Sequence, residues 1–577
     1  MDIKRIRLFG FLILLLAAAA GLKLYSENLN RKKAPVLTQT DKVSPYASLS
    51  PEDEKAVIAA EKMNPSQLAG QVMMIGYMGD KPSAEIISWI KNKNIGGIKI
   101  FGWNADNLYT LSRSIKAMQE ASGESEYKIP LFIATDQEGG WVRHIKGNSS
   151  ITAGNMSLGA SRLINDSYMT GMYIGRELDA VGINMNFAPT VDVLTNHDAH
   201  VIGPRAFSDN PLKTAVLAAA FVNGMKKSGI ISTAKHFPGH GRTEVDSHGR
   251  LPVINSKLEE IRYSDLLPYD FLIREELPAV MSGHLAYPEI TGDNTPASLS
   301  PFLLKEVLRR EMGFEGIIIT DDMQMNGALY MSSITESCLS ALKAGNDMIM
   351  VSRDLSDYES IRNRIIKEIN IDSDFEKQIR ESVKRIIRTK NRYLTDRGKN
   401  SDIKKENSVS SIPSKDAEAF FRQQAFRSVS LIYKDKPVKK PIEGERILLA
   451  GPHRLFFEEG LKRFPQADTW YFPYNPFHTA AGEDISSFSA ASEGYDLIIF
   501  CVSNPAGLQF LETLERKKSR VIVISVLSPA YLEDLNWPES GVAVYGTGRD
   551  SFTAGFAAIA GDFIPEGKLP IKINGER

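Results

Sequence analysis

EGIIITDD, residues 315–322, runs three isoleucines and a threonine into a pair of aspartates. The run is as long as one strand, is bounded by a glycine, and shows no alternation of polar and apolar residues. That is how a strand covered on both faces reads. Seven similar runs precede or follow it: VMMIGYM (72–78), GGIKIF (96–101), PLFIATD (130–136), GINMNFAP (182–189), GIISTAKHF (229–237), PAVMSGHL (278–285) and NDMIMVS (346–352). Stretches of helical period separate them, among them SAEIISWIKNK (83–93), YMTGMYIGRELDAVG (168–182) and LKTAVLAAAFVNGMKKSG (212–229). Strands alternating with crossover helices predict a parallel sheet, and eight of them predict a (β/α)8 barrel. The C-terminal ends of these runs turn polar, in TDQEGG, APTVD, KHFPGHG, SGH and TDDM. Such ends converge on one mouth, where barrels of this kind carry their chemistry. A single aspartate there would read as a strand-end cap, but five polar ends together read as a site.

The chain has 577 residues, more than one hydrophobic core usually serves, and a formal net charge of −1. That balance gives no footprint for nucleic acid. Cys338 and Cys501 are the two cysteines, too few for a disulfide framework or a cysteine-based zinc site. At the N-terminus Lys4, Arg5 and Arg7 precede the apolar run Leu8–Leu22, with Ala18, Ala19 and Ala20 at cleavage spacing. Residues 1–25 read as a signal peptide or membrane anchor, and 26–50 as a tether, which predicts export to the periplasm or the cell exterior with possible anchoring through 8–22. The barrel is expected over 51–395, a polar linker over 396–415, and a smaller doubly wound α/β domain over 416–577. The strands of that domain are RILLAG (446–451), YDLIIFCVS (495–503), RVIVISVL (520–527) and GVAVYG (541–546). GTGRD at 546 lacks the third glycine and the acidic partner of a dinucleotide site. The oligomeric state stays open.

Two carboxylate-bearing strand ends on one rim suit reactions at a carbon flanked by an acid and a base, the logic of glycoside hydrolysis. DQEGGWVRH (136–144), NFAPTVDV (186–193), IGPRAFSDNP (202–211), KHFPGHGRTEVDSHGRLP (235–252) and IITDDMQM (318–325) together resemble glycoside hydrolase family 3, in its β-N-acetylglucosaminidase branch. The similarity spans about residues 60 to 395, and the end of the chain, PEGKLPIKI, is similar to the second domain of longer members.

The resemblance implies Asp321 as nucleophile, with Asp322 the competing neighbour; strict strand alternation would let only one of them face the sugar. It implies His248, assisted by Asp246, as acid and base, a role that suits an imidazole. Asp136, Arg143, Arg205, Lys235 and His236 are implied to hold the sugar, while Asp192, Met281 and His284 read as core or support. Glycines 239, 241 and 249 are expected to leave the loop free to close. Arg242 departs from the aspartate many relatives carry there and is expected to alter that closure. No cofactor is implied, and no metal: His236 and His240 are four apart, but Pro238 and the glycines deny them a common helical face. The implied activity is exo-acting, retaining removal of N-acetylglucosamine from cell-wall fragments (muropeptides) or chitooligosaccharides. The alternatives are a phosphorylase or other β-glycosidase of the family, and, in a different class, a silent sugar-binding protein of the cell wall.

Overall fold

The computed structural model describes residues 51–247, 249–329, 332–352, 355–394, 409–433, 436–474 and 482–573. The export segment, the tether, most of the linker and His248 lie outside these residues.

Eight parallel strands close into a barrel: β1 (Met73–Ile75), β2 (Gly97–Lys99), β3 (Phe132–Thr135), β4 (Met185–Asn186), β5 (Ile231–Phe237), β6 (Ala279–Ser282), β7 (Ile317–Asp322) and β8 (Met348–Val351). Each lies inside one of the eight apolar runs. Neighbours in sequence are neighbours in the sheet, and β8 pairs back onto β1, Met73 opposite Ile349. Met74, Ile98, Ile133, Ile318 and Ile349 are fully buried, as strands enclosed between a packed interior and an outer helical layer must be. The bottom of the barrel is covered by helix Ser373–Leu394, against which the first described helix, Pro51–Lys62, is laid. Ala56 and Ala60 are buried there, Arg380 donates to the carbonyl of Ala60 at 2.7 Å, and Lys384 pairs with Glu61 at 2.8 Å.

Two strands lose regular register at the mouth. The pairing of β5 with β6 shifts between Ala234 and Phe237, and that of β7 with β8 shifts so that Met348 faces Ile319 while Met350 faces Asp322. Such bulges re-aim side chains beside active sites. Beyond β3 the chain folds into a two-stranded hairpin, Gln137–Gly139 against Val142–Arg143.

The second domain follows helix Lys415–Ser428. Its strands are β9 (Ser430–Leu431), β10 (Ile447–Gly451), β11 (Asp468–Tyr471), β12 (Leu497–Val502), β13 (Arg520–Val526) and β14 (Ser540–Tyr545), in the order β9-β14-β13-β12-β10-β11. All neighbours are parallel except β9 and β14. One face of this sheet shares a hydrophobic cluster with barrel residues Met156, Ala160, Leu194, Ala199, Ile202 and Ala206. Among the described residues no helix is long and apolar enough to cross a membrane.

Candidate active site

The floor of the mouth is a lattice of buried charges. Asp136 follows the last residue of β3. Lys235 of β5 donates to its Oδ1 at 2.5 Å, and Lys99, the last residue of β2, bonds its Oδ2. Glu138 of the hairpin takes Lys235 at 2.6 Å and both arms of Arg205, at 2.9 and 2.8 Å. Lys99, Lys235 and Glu138 are buried, so these charges persist because each is paired and hydrogen-bonded. Burial pushes the Asp136 carboxyl up, but Lys235, Lys99 and His144 outweigh it and hold it well below the usual carboxylate range. Arg205 and Lys235 overcome the same penalty at Glu138 and bring it down to about 2.

A second layer orients His236. Asp192 accepts from its Nδ1 at 2.8 Å and from its backbone N–H at 3.2 Å, and takes the His240 N–H at 2.7 Å as well. The other ring nitrogen of His236, Nε2, lies 3.2 Å from the Arg205 guanidinium. Asp192 therefore supports the site through two histidine backbone positions and one ring.

Asp321 sits where the β7 register slips, so simple alternation does not separate it from Asp322; their partners do. Asp322 accepts from the Ser352 hydroxyl and, at 3.1 Å, from the Gln324 N–H, which ties it to the end of β8 and to its own turn. Asp321 accepts the Asp322 N–H at 2.8 Å. Burial raises its carboxyl, but His236, His284, that N–H and Lys235 together hold it below the ordinary value. Its carboxyl is therefore held as a carboxylate among charged and donor groups at the mouth. His284 is fixed below it, Nδ1 2.8 Å from the Ser298 hydroxyl and Nε2 3.1 Å from the Asp322 carbonyl.

The loop after β5 is seated at both ends. Gly239 (φ +146°) lies so close to Asp265 that a Cβ would stand 2.7 Å from its side chain, and a Cβ on Gly241 would stand 1.9 Å from the Val193 carbonyl. These two glycines permit close approach, which gives them a different job from the free closure expected of them. Arg242 donates to Asp265 at 2.7 Å and to the Ser264 hydroxyl at 2.6 Å, so it anchors the loop's base. Burial and the neighbouring His236 bring His240 down to about 4, and its Nε2 lies 3.4 Å from Ser247, the residue after Asp246. At the far end the Gly327 N–H donates to the Ser247 carbonyl at 3.1 Å and Asn326 donates to Gly249 at 3.3 Å. The segment carrying Asp246 is thus laid against the turn that follows Asp321.

Of the residues singled out from sequence, Asp136, Arg205, Lys235 and His236 meet in one network, with Asp321 beside it. Arg143 does not join that network: its guanidinium donates to the Ser149 carbonyl and hydroxyl at 3.1 and 3.2 Å, which makes it a brace for the 149–150 segment. Lys99 and Glu138 join the network too, although each carries little signal in the sequence. A lone lysine inside GGIKIF and the glutamate of DQEGG were the available signals. Among the described residues no group of three His, Cys, Asp or Glu side chains could hold a metal ion.

A closed parallel barrel with paired charges and two adjacent carboxylates at its C-terminal mouth fits a barrel glycoside hydrolase. The chain belongs to glycosyl hydrolase family 3: the family's N-terminal domain matches residues 66–389. It is 32% identical over 372 residues to beta-hexosaminidase A of Pseudoalteromonas piscicida, covering 58% of this chain but only 62% of that protein. It is 37% identical over 290 residues to the beta-hexosaminidase of Idiomarina loihiensis, covering 49% of this chain and 84% of that one. A solved family 3 beta-N-acetylglucosaminidase from Paenibacillus sp. FPU-7 superposes with a TM-score of 0.81 at 25% identity, over 88% of this chain and 99% of that one.

Proposed function

We propose that this chain is an exo-acting, retaining β-N-acetylglucosaminidase that releases terminal N-acetylglucosamine from peptidoglycan fragments or chitooligosaccharides. The name of the Paenibacillus relative supports the sugar, and that of the Idiomarina relative supports a hexosaminidase. The observation that carries the mechanism is Asp321, held anionic beside the Asp136–Lys235–Glu138–Arg205 lattice and under the loop that bears Asp246. Asp321 attacks the anomeric carbon; the glycosidic bond breaks, and its oxygen takes a proton from His248. The same histidine then removes a proton from water, which attacks the glycosyl ester and returns Asp321 as a carboxylate. Asp246, two residues away, stabilises the imidazolium. Asp136 accepts from sugar hydroxyls, and the lysines that already neutralise it keep its geometry fixed during the reaction. We assign the run 8–22 to export or anchoring, and with it the reaction to the outside of the cytoplasm.

Turnover of an aryl β-N-acetylglucosaminide, with the corresponding glucoside as control and with and without phosphate, tests this reading. Hydrolysis of the first alone, unchanged by phosphate, is expected. A phosphate requirement would make the chain a phosphorylase, preference for the glucoside another β-glycosidase, and binding without turnover a silent cell-wall protein.

A further inference from the structure

The loop after β4, residues 194–205, is shared between the site and the second domain. On one side the Asn196 N–H donates to the Gly241 carbonyl at 3.0 Å and its side chain donates to the Arg242 carbonyl at 3.4 Å, at the base of the loop that carries Asp246 and His248. The loop ends in Arg205, whose guanidinium grips Glu138 and reaches His236. On the other side Leu194, Ala199 and Ile202 are fully buried in the cluster that holds Leu448, Ile498, Val523 and Ala543 of the second sheet. His200 and Tyr531 bring their rings to 5.3 Å, and His197 Nδ1 lies 2.6 Å from Glu533 Oε2, both side chains largely covered. His197 is the residue after Asn196, so a contact to the second domain and a contact to the acid and base loop come from adjacent residues.

We propose that the second domain is a positioning part of the active site, and that Glu533, through His197, sets the 194–205 loop against the base of the 238–250 loop. An isolated barrel would expose the apolar side of this loop to water, and with it lose what holds Asn196 on Gly241. Chain 529–533 of the second domain therefore does for this protein what a rigid scaffold does for a catalytic loop: it fixes geometry without touching substrate. The inference rests on the assignment of His248 and Asp246 as acid and base.

The test uses the full chain carrying Glu533→Gln, Glu533→Asp or His197→Gln, with two readouts. Hydrogen exchange at the Asn196 amide reports docking directly and needs no activity. The ratio of kcat/KM for a natural disaccharide to that for an activated aryl glycoside reports the acid loop, because a poor leaving group needs its proton and an activated one hardly does. In Glu533→Gln and His197→Gln the Asn196 amide should exchange faster, and kcat/KM should fall by about tenfold on the disaccharide but less than about threefold on the aryl glycoside, the scale of a modest misplacement. Glu533→Asp should recover part of both. Unchanged exchange at Asn196, or equal losses on both substrates in step with lost folded protein, would overturn the proposal. If the unaltered chain turns over neither substrate, the functional reading fails, while exchange at Asn196 still decides the positioning.

Discussion

Asp321 and Asp322 are adjacent carboxylates that the fold puts to different uses, one against donors at the mouth and one against Ser352 and a turn. Asp321→Asn keeps the shape but cannot form a glycosyl ester, so turnover should vanish on every substrate while the circular dichroism and melting curve stay those of the unaltered protein. Asp322→Asn should retain turnover and lose about 1–2 kcal/mol of stability through its weakened contacts with Ser352 and Gln324; if it is the dead variant, the roles are reversed. Strict alternation cannot separate the two aspartates, because the strand register shifts between Ile319 and Asp322; only the resemblance to the family favours Asp321. Lys99 and Glu138 escaped because each looks ordinary in its own run. Only the fold brings three strand ends and a hairpin close enough to show that Asp136 needs two lysines and Lys235 two carboxylates.

Elements were the most legible level. All eight barrel strands lie within the apolar runs, because a strand buried on both faces has nowhere to hide a polar residue. Register and loop seating were not legible, since they depend on partners far away in sequence. Gly241→Ala measures one such seating: its methyl would meet the Val193 carbonyl at 1.9 Å, so the loop base must shift. Turnover should fall by about 100-fold on the disaccharide, the cost of a small misplacement of catalytic groups; near-normal kinetics would show that the loop does not depend on that approach. On helix Ser373–Leu394, Lys390 is fully buried against Gln71 at 3.1 Å and over the Phe132 ring, and burial alone brings its ammonium down to about 7. Its folded pKa lies below the unfolded value of about 10.4, so between those values the unfolded chain binds more protons, and stability rises with pH across that window. Lys390→Met should therefore stabilise the protein at pH 7 by roughly 1–4 kcal/mol, with the gain shrinking toward pH 10. A gain that does not change with pH in urea titrations would mean that the lysine is not being forced neutral.

At the scale of the whole molecule, barrel and second domain share a core, while the packed structure is already under way at helix Pro51–Lys62. A chain beginning at residue 45 should stay soluble and active, whereas one beginning at 63 removes Ala56 and Ala60 from the barrel floor and should melt at a markedly lower temperature. Equal melting of the two would deny that helix a structural part. The two-domain organisation was legible from the apolar runs on either side of a polar stretch. The sharing of a core was not, because Leu194, Ala199 and Ile202 read as unremarkable loop residues until the second sheet is placed over them. Double displacement through Asp321, with His248 as acid and base, is decided by His248→Ala assayed with an activated aryl β-N-acetylglucosaminide and added azide. A burst of phenol is expected, then a slow phase as glycosyl-enzyme accumulates, restored by azide with formation of a β-glycosyl azide. An α-glycosyl azide would mean a single inversion and contradict the Asp321 intermediate, and a uniform loss without a burst would contradict the role of His248.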